Sequence, residues 1–181
     1  MQTNCTFFLP DAEATLRFGQ ALAHVTLHTN LSVLLLQGDL GAGKTTLVRG
    51  LVADLPDGHA AEVASPSFTI CNFYSTEPPV HHFDLYRLEP FVTDEGLEES
   101  LEDPLVLTVV EWSERLSPKG LPGSTMVVHL AEAKNLAREG RQAHCSIFDT
   151  SGEHLLALLR ERLEHDKAIK AVTHQAQEIS L

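Results

Sequence analysis

The chain has 181 residues, is 43% hydrophobic and 21% charged, and so has the size and composition of one folded domain with a full core. No run reaches the roughly 18 apolar residues of a membrane span, and the N-terminus MQTNCTFFLP lacks the basic-then-apolar order of a signal peptide. The formal charge is −12, with 13 basic residues scattered along the chain, which leaves no basic face from which nucleic acid could release counterions.

In chain order, Asp11 is placed to cap a helix whose apolar face is Phe18, Ala21, Leu22 and Val25, at i, i+3, i+4 and i+7. LSVLLLQ, residues 31–37, is a continuous apolar strand of the kind buried on both faces of a parallel sheet. It runs into GDLGAGKTT and then LVRGLVADL, with Leu47, Leu51 and Leu55 at helical spacing. DGH at 57–59 and SPS at 65–67 mark a loop. FTICNFY (68–74) and VHHFDLYRL (80–88) read as strands joined by STEPP, followed by a short acidic helix around TDEGLEESL and the strand LVLTVV. SPKGLPGS reads as a loop, TMVVHLA (125–131) and QAHCSIF (142–148) as strands, and GEHLLALLRERLE (152–164) as an amphipathic helix. The expectation is a single α/β domain over residues 1–165, with a mainly parallel central sheet flanked by helices and an antiparallel extension, then a polar C-terminal tail over 166–181. Cys5, Cys71 and Cys145 are far apart and odd in number, a pattern of reduced thiols in a cytoplasmic protein rather than of a disulfide framework or metal knuckle.

Gly38, Asp39, Leu40, Gly41, Ala42, Gly43, Lys44 and Thr45 fit G-x-x-x-x-G-K-[ST] in full. Glycines let the backbone curl so that N–H groups converge on phosphate oxygens, and the following helix aims its positive end at the same anion. Lys44 is placed to reach the β- and γ-phosphates and the Thr45 hydroxyl to ligate Mg²⁺, with Thr46 continuing the helical turn. The strand before the motif and the helix after it are the context it requires.

A phosphate loop needs a second acidic contact to the metal, at the end of another core strand, and ligands of open parallel sheets gather outside the strand carboxyl ends. The apolar strand LVLTVV stops on Glu111, which therefore stands as the candidate metal residue beside Thr45. The competing account is that Glu111 caps the next short helix or pairs with Arg115, four residues on. Asp84 also ends a strand; with Glu111 on the metal, Asp84 would position the attacking water or sense the γ-phosphate. Ser65, Ser67 and Thr69 lie between the phosphate loop and these acids. Hydroxyls beside Pro66 suit a loop closing on a γ-phosphate, although on the residues alone an ordinary turn entering a strand is the favoured explanation.

Other patterns carry less. Asp149-Thr150-Ser151-Gly152 matches D-x-x-G but follows the last strand, and no guanine-reading N-K-x-D exists; it reads as a turn before the final helix. His81 and His82 are adjacent, so on a strand they face opposite ways and cannot share a metal. Trp112 reads equally as a core residue or a contact to nucleotide or partner.

GDLGAGKTT, SPSFT, HFDLYRL and VVEW, in that order, resemble the TsaE family, the bacterial ATPase of tRNA threonylcarbamoyladenosine synthesis, over roughly residues 5–160. The resemblance implies a P-loop NTPase fold, ATP and Mg²⁺ as ligands, and work alongside the two-protein complex that transfers a threonylcarbamoyl group to the adenosine beside the tRNA anticodon. It implies Lys44 and Thr45 on phosphate and metal, Glu111 as second metal ligand, Asp84 as the acid of hydrolysis, and the Ser65–Thr69 segment as a nucleotide-sensing loop. Ser67 departs from the family's usual Thr but keeps the hydroxyl. The net acidity agrees with contacting tRNA only indirectly. Arg87 and Arg115 are the candidates for an arginine finger. Two other functions stay open on the residues alone: a small-molecule kinase, which usually carries an arginine-rich lid that this sequence lacks, and a non-catalytic module that docks when ATP is bound.

Overall fold

The structure, a computed structural model, describes residues 2–91, 94–117, 121–122, 124–133, 139–148 and 152–172. Its elements are β1 (Thr3–Leu9), α1 (Ala12–His28), β2 (Val33–Gln37), α2 (Lys44–Asp54), β3 (Cys71–Tyr74), β4 (Val80–Asp84), α3 (Glu95–Glu102), β5 (Leu107–Glu111), β6 (Thr125–Glu132), β7 (Arg141–Ile147), α4 (Gly152–Leu163) and β8 (Lys170–Val172). Among the described residues the strands form one eight-stranded sheet in the order β3-β4-β5-β2-β6-β7-β1-β8. β4, β5, β2 and β6 run parallel. β3 is antiparallel to β4, while β7, β1 and β8 continue antiparallel beyond β6. The expected α/β class, parallel core and antiparallel extension are all present, and antiparallel strands stand at both edges.

β2 explains its own sequence. Leu34 and Leu36 pack into a cluster with α1, α2 and α4, whereas Val33 and Leu35 pack on the opposite face against Phe83, Val110 and Val127. A strand buried on both faces has no polar alternation to show. At roughly 1.5–3 kcal/mol for each large side chain buried, this strand is a principal anchor of the parallel core. α1 starts where Asp11 accepts the Ala14 N–H at 2.7 Å, satisfying a donor that the first turn leaves open. α1 and α2 approach so closely that a Cβ on Gly50 would lie 2.0 Å from the Leu16 carbonyl oxygen, and one on Gly19 2.1 Å from that of Leu47. Only glycine fits at this crossing, which fixes the helix that begins with Lys44.

No strand is expected before Asp11, yet β1 is paired on both sides, to β7 and β8. Cys5, Phe7 and Leu9 alternate into the core, but Phe8 is buried as well, so the period-2 signal is blurred over a short run. The expected strand over 68–74 is shortened to β3 because Pro66 accepts from both Thr69 and Ile70 and turns the chain. The expected strand over 80–88 stops at Asp84, whose carboxylate accepts the Tyr86 N–H at 2.9 Å. The D-x-x-G residues Asp149, Thr150 and Ser151 lie outside the described residues.

Ordered structure continues past residue 165. Residues 170–172 form β8 on the edge of β1, and Ile169 is buried in the main cluster. Asp166 sets up this return: its carboxylate accepts from Arg17 Nε at 2.7 Å and from the N–H groups of Ala168 and Ile169. Burial pushes the Asp166 carboxyl up, but the Arg17 hydrogen bond and those two N–H groups outweigh it and hold it below its ordinary value. A folded-state value below the unfolded one means that the stabilisation is complete above the unfolded carboxylate pKa of about 3.9 and disappears as pH falls through the lower folded value. Asp166→Ala is therefore expected to cost about 1 kcal/mol at pH 7, a figure reduced for partial solvent exposure. Urea denaturation at pH 7 and near pH 3 checks this: the difference from wild type should narrow at the lower pH.

Candidate active site

The parallel register aligns the ends of adjacent strands. Asp84 pairs with Glu111 across β4 and β5, and Glu111 pairs with Leu36 across β5 and β2. The loop from Gly38 to Gly43 leaves β2 at that same edge. Gly38, Gly41 and Gly43 have positive φ of 131°, 77° and 105°, the region that L-residues avoid. A Cβ on Gly38 would also meet the Leu130 carbonyl oxygen at 2.3 Å. Ala42 N–H donates to the Asp39 carbonyl, closing the curl, and Leu40 stands exposed at its crown. α2 begins with no side-chain cap and no acidic residue in its first turn, so its positive end is open to an anion.

Lys44 is buried, with Nζ donating to the Gly38 carbonyl at 2.6 Å and the Asp39 carbonyl at 3.0 Å. The ammonium also sits 3.9 Å from the centre of the Trp112 ring, a cation–π contact. Burial pushes the Lys44 pKa down, opposed by the charges of Glu111, Glu114, Asp84 and Asp39. Trp112 reaches this position because it adopts a left-handed φ of 59°; Tyr86 packs against it at 4.9 Å between ring centres. Ile70, at the end of the turn that starts at Pro66, also has positive φ, 67°, which is strained for a β-branched residue. Its carbonyl accepts the Asp84 N–H. Two strained positions thus flank the two acids, the distribution expected where a site dictates the backbone.

Thr45 Oγ1 donates to Glu111 Oε1 at 2.8 Å, and His82 Nε2 donates to the same oxygen at 2.9 Å. Glu111 is only 3% exposed, and burying a carboxylate is costly unless donors compensate it. Here two do, and both bonds fall on Oε1. A hydroxyl that donates one hydrogen retains lone pairs, so Thr45 and the remaining oxygen of Glu111 form a pair of hard oxygen donors suited to Mg²⁺. Arg115, the alternative partner of Glu111, donates instead to the Leu88 carbonyl at 2.6 Å.

Asp84 is held separately. Ser65 and Ser67 hydroxyls donate to its Oδ2 at 2.5 and 2.9 Å, and Tyr86 N–H donates to Oδ1. Thr69 is not brought to this cluster; its hydroxyl donates to Asn72 Oδ1. Thr46 lies in the first turn of α2. Arg87 is turned onto Phe68, 4.2 Å from the ring centre, and Phe68 is 84% exposed. His81 and His82 do face opposite ways, His81 meeting Ser100 Oγ at 2.9 Å. Strand alternation separates the two histidines but does not reveal His82 as a direct partner of Glu111. The available signal was the two-residue spacing to Asp84, which puts both side chains on one face of β4.

Among the described residues no group of three or more His, Cys, Asp or Glu side chains forms a metal cluster, and no helix is long and apolar enough to cross a membrane. Comparison with known proteins agrees with the motif order. A family profile described as threonylcarbamoyl adenosine biosynthesis protein TsaE matches residues 9–142. A Synechocystis protein named tRNA threonylcarbamoyladenosine biosynthesis protein TsaE is 46% identical over 121 residues, covering 64% of this chain and 74% of that protein. Proteins of the same name from a Nostoc species and Bacillus subtilis are 39% and 36% identical, covering 78% and 74% of this chain and 88% and 79% of their own lengths. The profile takes in the phosphate loop, both acids and the turn between them, and with these relatives it establishes that the chain belongs to the TsaE family.

Proposed function

We propose that this chain is a cytoplasmic, Mg²⁺-dependent ATPase of tRNA threonylcarbamoyladenosine synthesis. Its hydrolysis would support the two-protein complex that transfers the threonylcarbamoyl group to the adenosine beside the anticodon. The observation that carries this reading is the contact between Thr45 and Glu111 beside the buried Lys44, where parallel strands end together.

In this reading residues 38–46 cradle the phosphates, and Lys44 balances charge between the β- and γ-positions. Thr45 and Glu111 hold the Mg²⁺, which when bound neutralises charge developing on the phosphate oxygens. Asp84 orients the attacking water. Ser65 and Ser67, already fastened to Asp84, couple that carboxylate to the loop beside the γ-phosphate, with Thr69 fixing the far end of the turn. The tRNA is held by the partner proteins, consistent with a chain of net charge −12. A single ATPase domain extends through β8, since that strand is paired into the sheet.

Arg87 and Arg115 are engaged with Phe68 and the Leu88 carbonyl, so neither of these two candidates is poised as an arginine finger. Turnover alone is expected on the order of 10⁻⁴ to 10⁻² s⁻¹, rising about tenfold or more with the partner complex. Phosphate release measured with and without the purified partner complex and tRNA tests this. Wild type should respond to partners, and Glu111→Ala should not. An isolated chain already turning over at tens per second, or no response to partners, would sink the reading.

A further inference from the structure

Glu111 is held by two donors, and only one of them belongs to the phosphate loop. The other, His82, is fully buried on β4, and its Nε2 lies 2.9 Å from Glu111 Oε1. Its second ring nitrogen, Nδ1, is also buried and has no hydrogen-bond partner among the described residues. Whichever hydrogens the ring carries, that atom is an unpaired polar group in the core, which is destabilising. Its surroundings are apolar: Val109 pairs with it across β5, and the Tyr74 ring is 6.2 Å away. A phenylalanine or leucine would pack there without that cost. The histidine therefore gives the fold nothing that an apolar residue would not give, except its bond to Glu111.

The two bonds differ in permanence. Thr45 sits at the first turn of α2, on the loop that must adjust to an arriving nucleotide. His82 is fixed by strand pairing on both sides, to Asn72 on β3 and Val109 on β5. With Oε1 fastened to His82, Glu111 keeps one orientation, and neither Thr45 nor His82 engages its other oxygen. We propose that His82 is a positioning residue, a strand-borne donor that locks the Glu111 carboxylate so that its free oxygen is presented to the metal side of the phosphate loop.

This rests on Glu111 serving Mg²⁺, and the test separates the two claims. ATP binding is followed by isothermal titration calorimetry at stepped Mg²⁺ concentrations for wild type, His82→Gln, His82→Asn and His82→Phe, with thermal melting of each. Glutamine places an amide N–H near the position of Nε2; asparagine is too short to reach Oε1, and phenylalanine keeps the ring without a donor. The Mg²⁺ concentration at half-effect should rise about tenfold or more in the Asn and Phe variants and stay within about threefold of wild type in Gln. ATP affinity without Mg²⁺ should be unchanged in all of them, which a merely structural role for His82 would not allow. If the Phe variant fails to fold, the contrast between Gln and Asn decides. A wild-type midpoint in Asn or Phe, an equal loss in Gln, or a matching loss of metal-free affinity overturns the positioning role while leaving the Mg²⁺ reading intact. Wild-type ATP binding that ignores Mg²⁺ overturns both.

Discussion

Lys44→Ala is expected to lower phosphate release by about 10²–10³-fold while the protein remains folded. The side chain is buried, and burial disfavours its charge; four acids, Glu111 first among them, oppose that only in part. Its two hydrogen bonds go to the carbonyls of Gly38 and Asp39, the start of the loop it belongs to, and its ammonium rests on Trp112. Removing it deletes two charge-assisted hydrogen bonds but also relieves a desolvated cation. These terms oppose one another, so the net stability change is expected to stay within about 2 kcal/mol. The rate has no such compensation, because a fixed positive charge in a dry site is what stabilises phosphate oxygens as their charge shifts. Lys44→Arg should fail nearly as badly, since a planar guanidinium cannot occupy the narrow space between two loop carbonyls and an indole face. Phosphate release alongside thermal melting checks both variants. A near-native rate in Lys44→Ala would remove this loop from the reaction.

Residues 33–54 were legible because three independent rules agree there: an apolar run without alternation, a glycine-rich turn needing positive φ, and leucines at helical spacing. Glu111 and Asp84 were legible as strand ends. What joins them was not. His82 meets Glu111 only through the β4–β5 register, which sets His82 opposite Val109 and so diagonal to Glu111; no local pattern encodes a pairing between strands distant in sequence. Ser65 and Ser67 reach Asp84 because Pro66 and a strained Ile70 bend the chain back, whereas spacing alone favoured a plain turn. β8 was missed for another reason. A three-residue strand at a sheet edge is held by backbone hydrogen bonds and by the Asp166 anchor, neither of which requires hydrophobic periodicity.

Asp84→Asn is expected to reduce hydrolysis by roughly 10²–10⁴-fold, the range for losing a positioned acid–base group, with ATP affinity changed far less. The geometry gives the reason. Oδ2 accepts from both Ser65 and Ser67, whose oxygens are 2.6 Å apart, and Oδ1 accepts from Tyr86 N–H. A carboxylate can accept on both oxygens; an amide can accept on only one. If the amide oxygen faces the serines, its NH₂ confronts the Tyr86 N–H. If it faces Tyr86, the two hydroxyls lose their shared acceptor. Either arrangement loosens one side of the turn while leaving Lys44, Thr45 and Glu111 in place. The variant should therefore bind ATP and trap it, and limited proteolysis should cut faster within residues 65–70 than in wild type. Ser67→Ala removes one donor and leaves the acid, so it should slow hydrolysis much less. Single-turnover phosphate release, compared with ATP affinity from calorimetry, separates the outcomes. Equal losses of binding and rate in Asp84→Asn would mean that Asp84 holds the nucleotide rather than directing the water.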